Sequence, residues 1–129
     1  EDVFCFDCRM LPDHRSKDVL EEVGATLKET EDRFGVKCDL QVIQDDSSPP
    51  TLEDAPIVVQ LKNAILSLRG LKARAVGIGG GTVAAPFRKA GFDAAVWETT
   101  GETAHMADES IRIENLVADA KVFAAMMLG

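Results

Sequence analysis

The sequence predicts an α/β protein of alternating strands and helices. Short runs of branched and aromatic residues alternate with stretches whose apolar residues recur at helical spacing, and Gly, Pro or Asp stands at most junctions.

Val3 to Met10 reads as a first strand, ended by Leu11-Pro12-Asp13. One face carries Phe4, Phe6, Cys8 and Met10; the other carries Val3, Cys5, Asp7 and Arg9. Ser16 is placed to cap a helix running to about Phe34, with Asp18 in its first turn and Gly35 as terminator. Val19, Leu20, Val23 and Leu27 form its apolar stripe. Val36 to Gln44 reads as the next strand, so the three elements predict a right-handed crossover between parallel strands. Asp45-Asp46-Ser47-Ser48-Pro49-Pro50 then breaks regular structure and reads as a linker.

Pro56 fits the first turn of a second helix that ends near Gly70, with Val58, Leu61, Ile65 and Leu68 facing a core. A short buried strand, Arg74 to Ile78, leads into Gly79-Gly80-Gly81-Thr82 and then a short helix from about Ala84 to Ala90, stopped at Gly91. Ala94 to Trp97 is another buried strand, followed by a polar loop from Glu98 to Glu109 and an extended Ser110-Ile111-Arg112-Ile113. The last helix starts near Asn115, with Leu116, Val117, Ala120, Phe123, Ala124 and Met127 predicted inward.

Composition narrows the function classes. A net charge of -8 argues against nucleic acid or an anionic membrane as partner. One region runs the other way: Leu61 to Gly91 contains no Asp or Glu but holds Lys62, Arg69, Lys72, Arg74, Arg88 and Lys89, a positive field around the glycine turn that balances acidic neighbours or favours an anionic ligand. Three cysteines do not close a disulfide framework, which fits a reducing, cytoplasmic setting. Cys5 and Cys8 have a metal-like spacing, but in a strand they point to opposite faces and cannot grip one ion. The opening Glu1-Asp2 leads at once into a core-like strand, which predicts a fragment of a longer polypeptide.

Chemistry concentrates in two loops. A strand, a glycine run and a helix present backbone N–H groups to an anion, and glycine lets the ligand approach the backbone. The Walker pattern fails because Gly81-Thr82-Val83 lacks its lysine, and the dinucleotide fingerprint fails because Thr82 replaces its third glycine. The acidic residue that fingerprint also needs would be Glu102, in a loop and not at a strand end. A carboxylate ligand fits the donors better, with the Thr82 hydroxyl as a further contact. In the second loop His105 follows a buried strand, with Asp108 and Glu109 as carboxylates able to fix an imidazole tautomer. One histidine does not make a zinc site, and His14, in a turn, is not spaced to join it.

Taken together, Phe6-Asp7-Cys8-Arg9-Met10-Leu11-Pro12, Gly79 to Thr82, and His105 to Glu109 with the Ile111 to Leu116 tail resemble the zinc-dependent amidohydrolases. That family includes acetylornithine deacetylase, succinyl-diaminopimelate desuccinylase and the glutamate carboxypeptidases. The resemblance implies the C-terminal part of an α/β zinc-hydrolase catalytic domain (47–129), preceded by half of a ferredoxin-like lid and dimerisation domain (1–46). It implies metal-dependent hydrolysis of an amide bond in an N-acyl amino acid or small peptide, as in amino-acid biosynthesis. His105 would be a ligand of one of two zinc ions, with cobalt or manganese as alternatives. Arg9, Gly80, Gly81 and Thr82 would bind the substrate carboxylate, and Asp108 and Glu109 would support the metal ligand from behind. The partners implied are a small carboxylate-bearing substrate, the N-terminal part of the same protein and a second copy in a homodimer. The resemblance places the family's general-base glutamate in an N-terminal segment outside this chain, so the fragment alone is expected to be inactive. Asp108 stands where the family usually has asparagine and Gly101 where some members have one, which leaves the acyl group and amino acid open. The rival reading is a free-standing small-anion-binding or oligomerisation module without catalysis.

Overall fold

The computed structural model describes residues 1–78, 81–101 and 103–128. Its regular elements are four helices: α1 (Ser16–Phe34), α2 (Pro56–Arg69), α3 (Ala85–Lys89) and α4 (Ile113–Leu128). The described residues contain no strand, which overturns the predicted α/β class. It overturns with it the parallel crossover around α1, the half ferredoxin-like lid built from it, and the sheet expected beyond the linker. The reason is that a strand is defined by the ladder it makes with a partner, and apolar alternation is only a local preference. The intended core face of the first segment lies open instead, with Phe4 78% and Phe6 87% exposed. Val36, Leu40, Val42, Val76, Ile78 and Val96, from the other predicted strands, are also exposed.

The helices follow their punctuation. Gly35 ends α1 in the left-handed region, φ 66°, and donates its N–H to the Glu31 carbonyl at 2.9 Å. Gly70 does the same for α2, φ 65°, bonding the Leu66 carbonyl. A Cβ is disfavoured at such φ, so glycine is the residue that stops both helices cleanly. At the start of α1 the cap position is Arg15, one residue before the expected Ser16, and its side chain makes no capping bond. Its guanidinium grips the Asp18 carboxylate instead, at 2.9 and 2.7 Å.

The chain divides into two compact units. The first comprises residues 1–50 and 77–90, with α1 and α3. Its predicted stripe of Val19, Leu20, Val23 and Leu27 is half-buried, and no residue of α1 is fully buried. Polar contacts tie the segment after α1: the Cys38 N–H donates to Glu31 Oε1 at 2.8 Å. The predicted linker residues lie in no helix, but Asp45, Ser47 and Ser48 are tied by hydrogen bonds. Asp45 Oδ1 accepts from the Ser47 N–H (2.9 Å) and hydroxyl (2.6 Å), Lys89 Nζ donates to the Asp45 carbonyl (2.8 Å), and Arg88 Nε donates to Ser48 Oγ (3.1 Å).

These contacts, led by the Ser47 hydroxyl and then that of Ser16, hold the Asp45 carboxyl at about 2, below its ordinary 3.8. A carboxylate lowered in the folded state adds stability that is complete above the unfolded value and is lost as pH falls through the folded one. Carboxyl-carbon NMR should therefore show Asp45 titrating near 2 and moving back towards 3.8 in Ser47→Ala. An unshifted Asp45 in the wild-type protein would refute the turn geometry.

The second unit comprises residues 51–76 and 91–129. Its centre is α2 packed on α4: Leu61, Ile65 and Val122 form the buried cluster, flanked by Ala64, Ala73, Ala95, Trp97 and Met126. Val58 is buried as predicted, whereas Leu68 is 48% exposed. The face of α4 that turns inward is not the predicted one. Asp119 and Val122 are buried, while Leu116, Val117, Ala120, Phe123, Ala124 and Met127 are exposed. This helix is apolar around most of its circumference, so spacing alone does not select a face. A charge pairing does.

Candidate functional site

The predicted site residues fall into both units, and each group is described within its own. In the first unit, Arg9 is exposed and lies beside Asp7, Nε to Oδ2 3.4 Å. Just past it, the Pro12 ring packs against Gly77: a Cβ on Gly77 would sit 2.8 Å from Pro12 Cδ and 2.9 Å from Cγ. Glycine is thus required at Gly77 by close approach, and this contact brings the segment after Arg9 alongside the segment leading to the glycine turn. Gly79 and Gly80 lie outside the described residues, so the turn is seen from Gly81 onward.

Thr82 starts α3. Its Oγ1 accepts the Ala84 N–H at 3.1 Å and its carbonyl accepts the Ala85 N–H at 3.0 Å. The threonine side chain thus shapes the turn by bonding its own backbone. Gly81 and Thr82 line an open cavity of about 370 Å³ with Asp46, Val83, Ala85, Pro86 and Lys89. Lys89 supplies a cation to that cavity and Asp46 an opposing carboxylate. The positive stretch read from the sequence is therefore locally balanced at this point.

In the second unit, His105 lies in a loop held by turns at both ends. The Met106 N–H donates to the Thr103 carbonyl (3.0 Å) and the Glu109 N–H to the Met106 carbonyl (3.2 Å). The Thr103 hydroxyl donates to the Ser110 carbonyl at 3.1 Å and accepts the Ser110 N–H at 3.2 Å, closing the loop across its neck. Inside that ring His105 has φ 63°. A side chain at such φ is sterically disfavoured, and it is held there by the surrounding bonds. Glu109 contributes one of them, since its Oε2 accepts the His105 backbone N–H at 3.2 Å. Its carboxylate thus meets His105 through the main chain and not through the ring. Asp108 is exposed, and Glu102 lies outside the described residues.

Among the described residues, no three His, Cys, Asp or Glu side chains are grouped to hold a metal ion. Cys5 and Cys8 are exposed and free. The donor chemistry fits a share of a site: His105 is exposed and its ring makes no hydrogen bond among the described residues, so one imidazole nitrogen is available to an ion. It does not fit a complete site, which needs several protein ligands.

Sequence reasoning missed the strongest polar cluster. Asp119 is 6% exposed and is the buried charged residue of α4, whose other charged residues, Glu114 and Lys121, are exposed. Its Oδ1 accepts Arg69 NH1 at 2.9 Å and the Thr99 hydroxyl at 2.7 Å, and its Oδ2 accepts the Thr99 N–H at 2.7 Å. Arg69 also donates to Thr99 Oγ1 (3.0 Å), and its guanidinium lies 5.9 Å from the Trp97 ring centroid. Trp97 in turn meets Phe123 at 6.1 Å between centroids, tilted by 60°. The available signal was an acidic residue in the middle of α4, flanked on both sides by Ala118 and Ala120.

Comparison with known proteins places the chain. Residues 10–129 match Peptidase family M20/M25/M40. An uncharacterized metallohydrolase of Methanocaldococcus jannaschii is 37% identical over 127 residues, covering 92% of this chain and 31% of that protein. Another, from Methanococcus maripaludis, is 30% identical over 131 residues, covering 92% of this chain and 32% of that protein. The chain thus spans about a third of the length of the curated relatives it matches. No solved structure matches it at a significant level.

Proposed function

The chain belongs to Peptidase family M20/M25/M40, and on that premise we propose that it is one share of a metal-dependent hydrolase cleaving the amide bond of an N-acyl amino acid or small peptide. The observation that carries this reading is His105: an exposed imidazole kept at a disfavoured backbone angle by a loop closed across its neck. His105 supplies one ligand to zinc, cobalt or manganese, and the other ligands come from chain outside this sequence. The ion would polarise the scissile carbonyl and lower the pKa of a bound water.

The remaining assignments concern the substrate. Arg9 and the turn of Gly80, Gly81 and Thr82 take the carboxylate end, Arg9 through its guanidinium and the turn through backbone N–H groups. In that role the bond from the Ala84 N–H fixes the orientation of the Thr82 hydroxyl. Glu109 keeps His105 in place through the backbone, and Asp108, exposed in the same loop, is the further carboxylate assigned to support the metal ligand.

The test is a hydrolysis assay on the full-length protein with N-acetyl and N-succinyl amino acids and dipeptides. Activity should be lost on chelation and restored by zinc, cobalt or manganese. The 129-residue chain alone should turn over none of these and bind zinc only weakly. Absence of turnover across the whole panel with every metal would overturn the reading, as would stoichiometric, tight zinc binding by the 129-residue chain.

A further inference from the structure

We propose that Asp119 is a positioning residue that clamps the start of the His105 loop onto α4. The inference rests on the hydrolase reading for its functional meaning, but its geometry stands apart from it.

The loop leaves the Ala94 to Trp97 segment and reaches its first polar anchor at Thr99. There both carboxylate oxygens of Asp119 are engaged by one residue, Oδ2 by the Thr99 N–H and Oδ1 by its hydroxyl, each at 2.7 Å. Two contacts from one side chain to a single residue fix its orientation as well as its place. Arg69 completes the triangle. It donates to Asp119 Oδ1 and to Thr99 Oγ1, so the hydroxyl acts as donor to the carboxylate and acceptor from the guanidinium. No buried side-chain nitrogen or oxygen among the described residues is left without a partner.

The far end of the loop runs through Ser110 into α4 at Ile113. The helix that receives the loop's end therefore also holds its start. The Thr103–Ser110 bracket closes the neck between these two anchors, with His105 inside it. A histidine at φ 63° needs such restraint, because a loose loop would relax towards more populated angles.

The decisive variant is Thr99→Val in the full-length protein, which keeps shape and backbone and removes only the hydroxyl. Amide hydrogen exchange at residues 103–110 should speed up roughly tenfold, the size expected for losing such a bond, while the amides of Ile65 and Val122 stay unchanged. Thr99→Ser should restore the wild-type pattern. Asp119→Asn supplies a second route, since its amide group cannot accept all the donors that converge there, and it should loosen the same amides. This readout needs neither metal nor substrate, so a failed hydrolysis assay would leave it standing. Unchanged exchange at 103–110 in both Thr99→Val and Asp119→Asn, with the fold intact, would overturn the clamp whatever the activity. In Thr99→Val, a rise spread equally over the core amides would overturn it too, marking the Thr99 contacts as general stabilisers and not a clamp on the loop.

Discussion

Asp119→Ala should destabilise the second unit by about 3–5 kcal/mol, the cost typical of breaking a buried ion pair by removing one partner. The Arg69 side chain is only 18% exposed and Asp119 only 9%, so neither can recover its lost contacts fully from water. Truncation leaves the guanidinium uncompensated beside Trp97 and strands the Thr99 N–H. An isolated ion pair on the surface would contribute roughly 0–1 kcal/mol, and burial makes the difference. The measurement is convenient because Trp97, the single tryptophan, sits against Arg69 and reports on this cluster by fluorescence during urea unfolding. The double variant Arg69→Met/Asp119→Leu separates pairing from packing. It removes both charges and replaces them with apolar groups, so it should recover much of the loss. A change below about 1 kcal/mol in Asp119→Ala would show that the pair carries little stability.

The same pair explains why part of the fold was legible in the sequence and part was not. Local chemistry fixed the helices: Gly35, Gly70 and Pro56 act through backbone angles that depend on a few neighbours, and all three sit where they were expected. Strands are another matter. Phe4, Phe6, Val36 and Val42 have the right alternation, but a ladder depends on a partner distant in sequence, and none forms among the described residues. The inward face of α4 fails for a related reason. Leu116, Val117 and Phe123 make as good a stripe as the residues that are buried, and the choice is made by Arg69, 50 positions away from Asp119. Periodicity cannot weigh a contact of that range. In the candidate site, the Gly-Thr turn and His105 were visible as residue types, whereas the clamp at Thr99 became visible only with coordinates.

Replacing His105 should separate stability from activity. In His105→Gly, backbone strain at φ 63° is relieved, since glycine adopts that angle freely, and the unit should gain up to roughly 1 kcal/mol. Under the proposed function the same change removes a metal ligand. Losing an outer partner of such a ligand already costs about 10–100-fold, so kcat/KM of the full-length protein should fall by about 100-fold or more. His105→Asn is the companion variant, since asparagine tolerates the left-handed region but offers no imidazole nitrogen. It should keep the wild-type melting temperature and share the loss of activity. A residue kept for packing would show the opposite: both variants would lose stability and neither would lose turnover beyond that loss. A His105→Gly protein that is more stable and hydrolyses substrate within a few-fold of wild type would remove His105 from the chemistry, and with it the link between this chain and the metal.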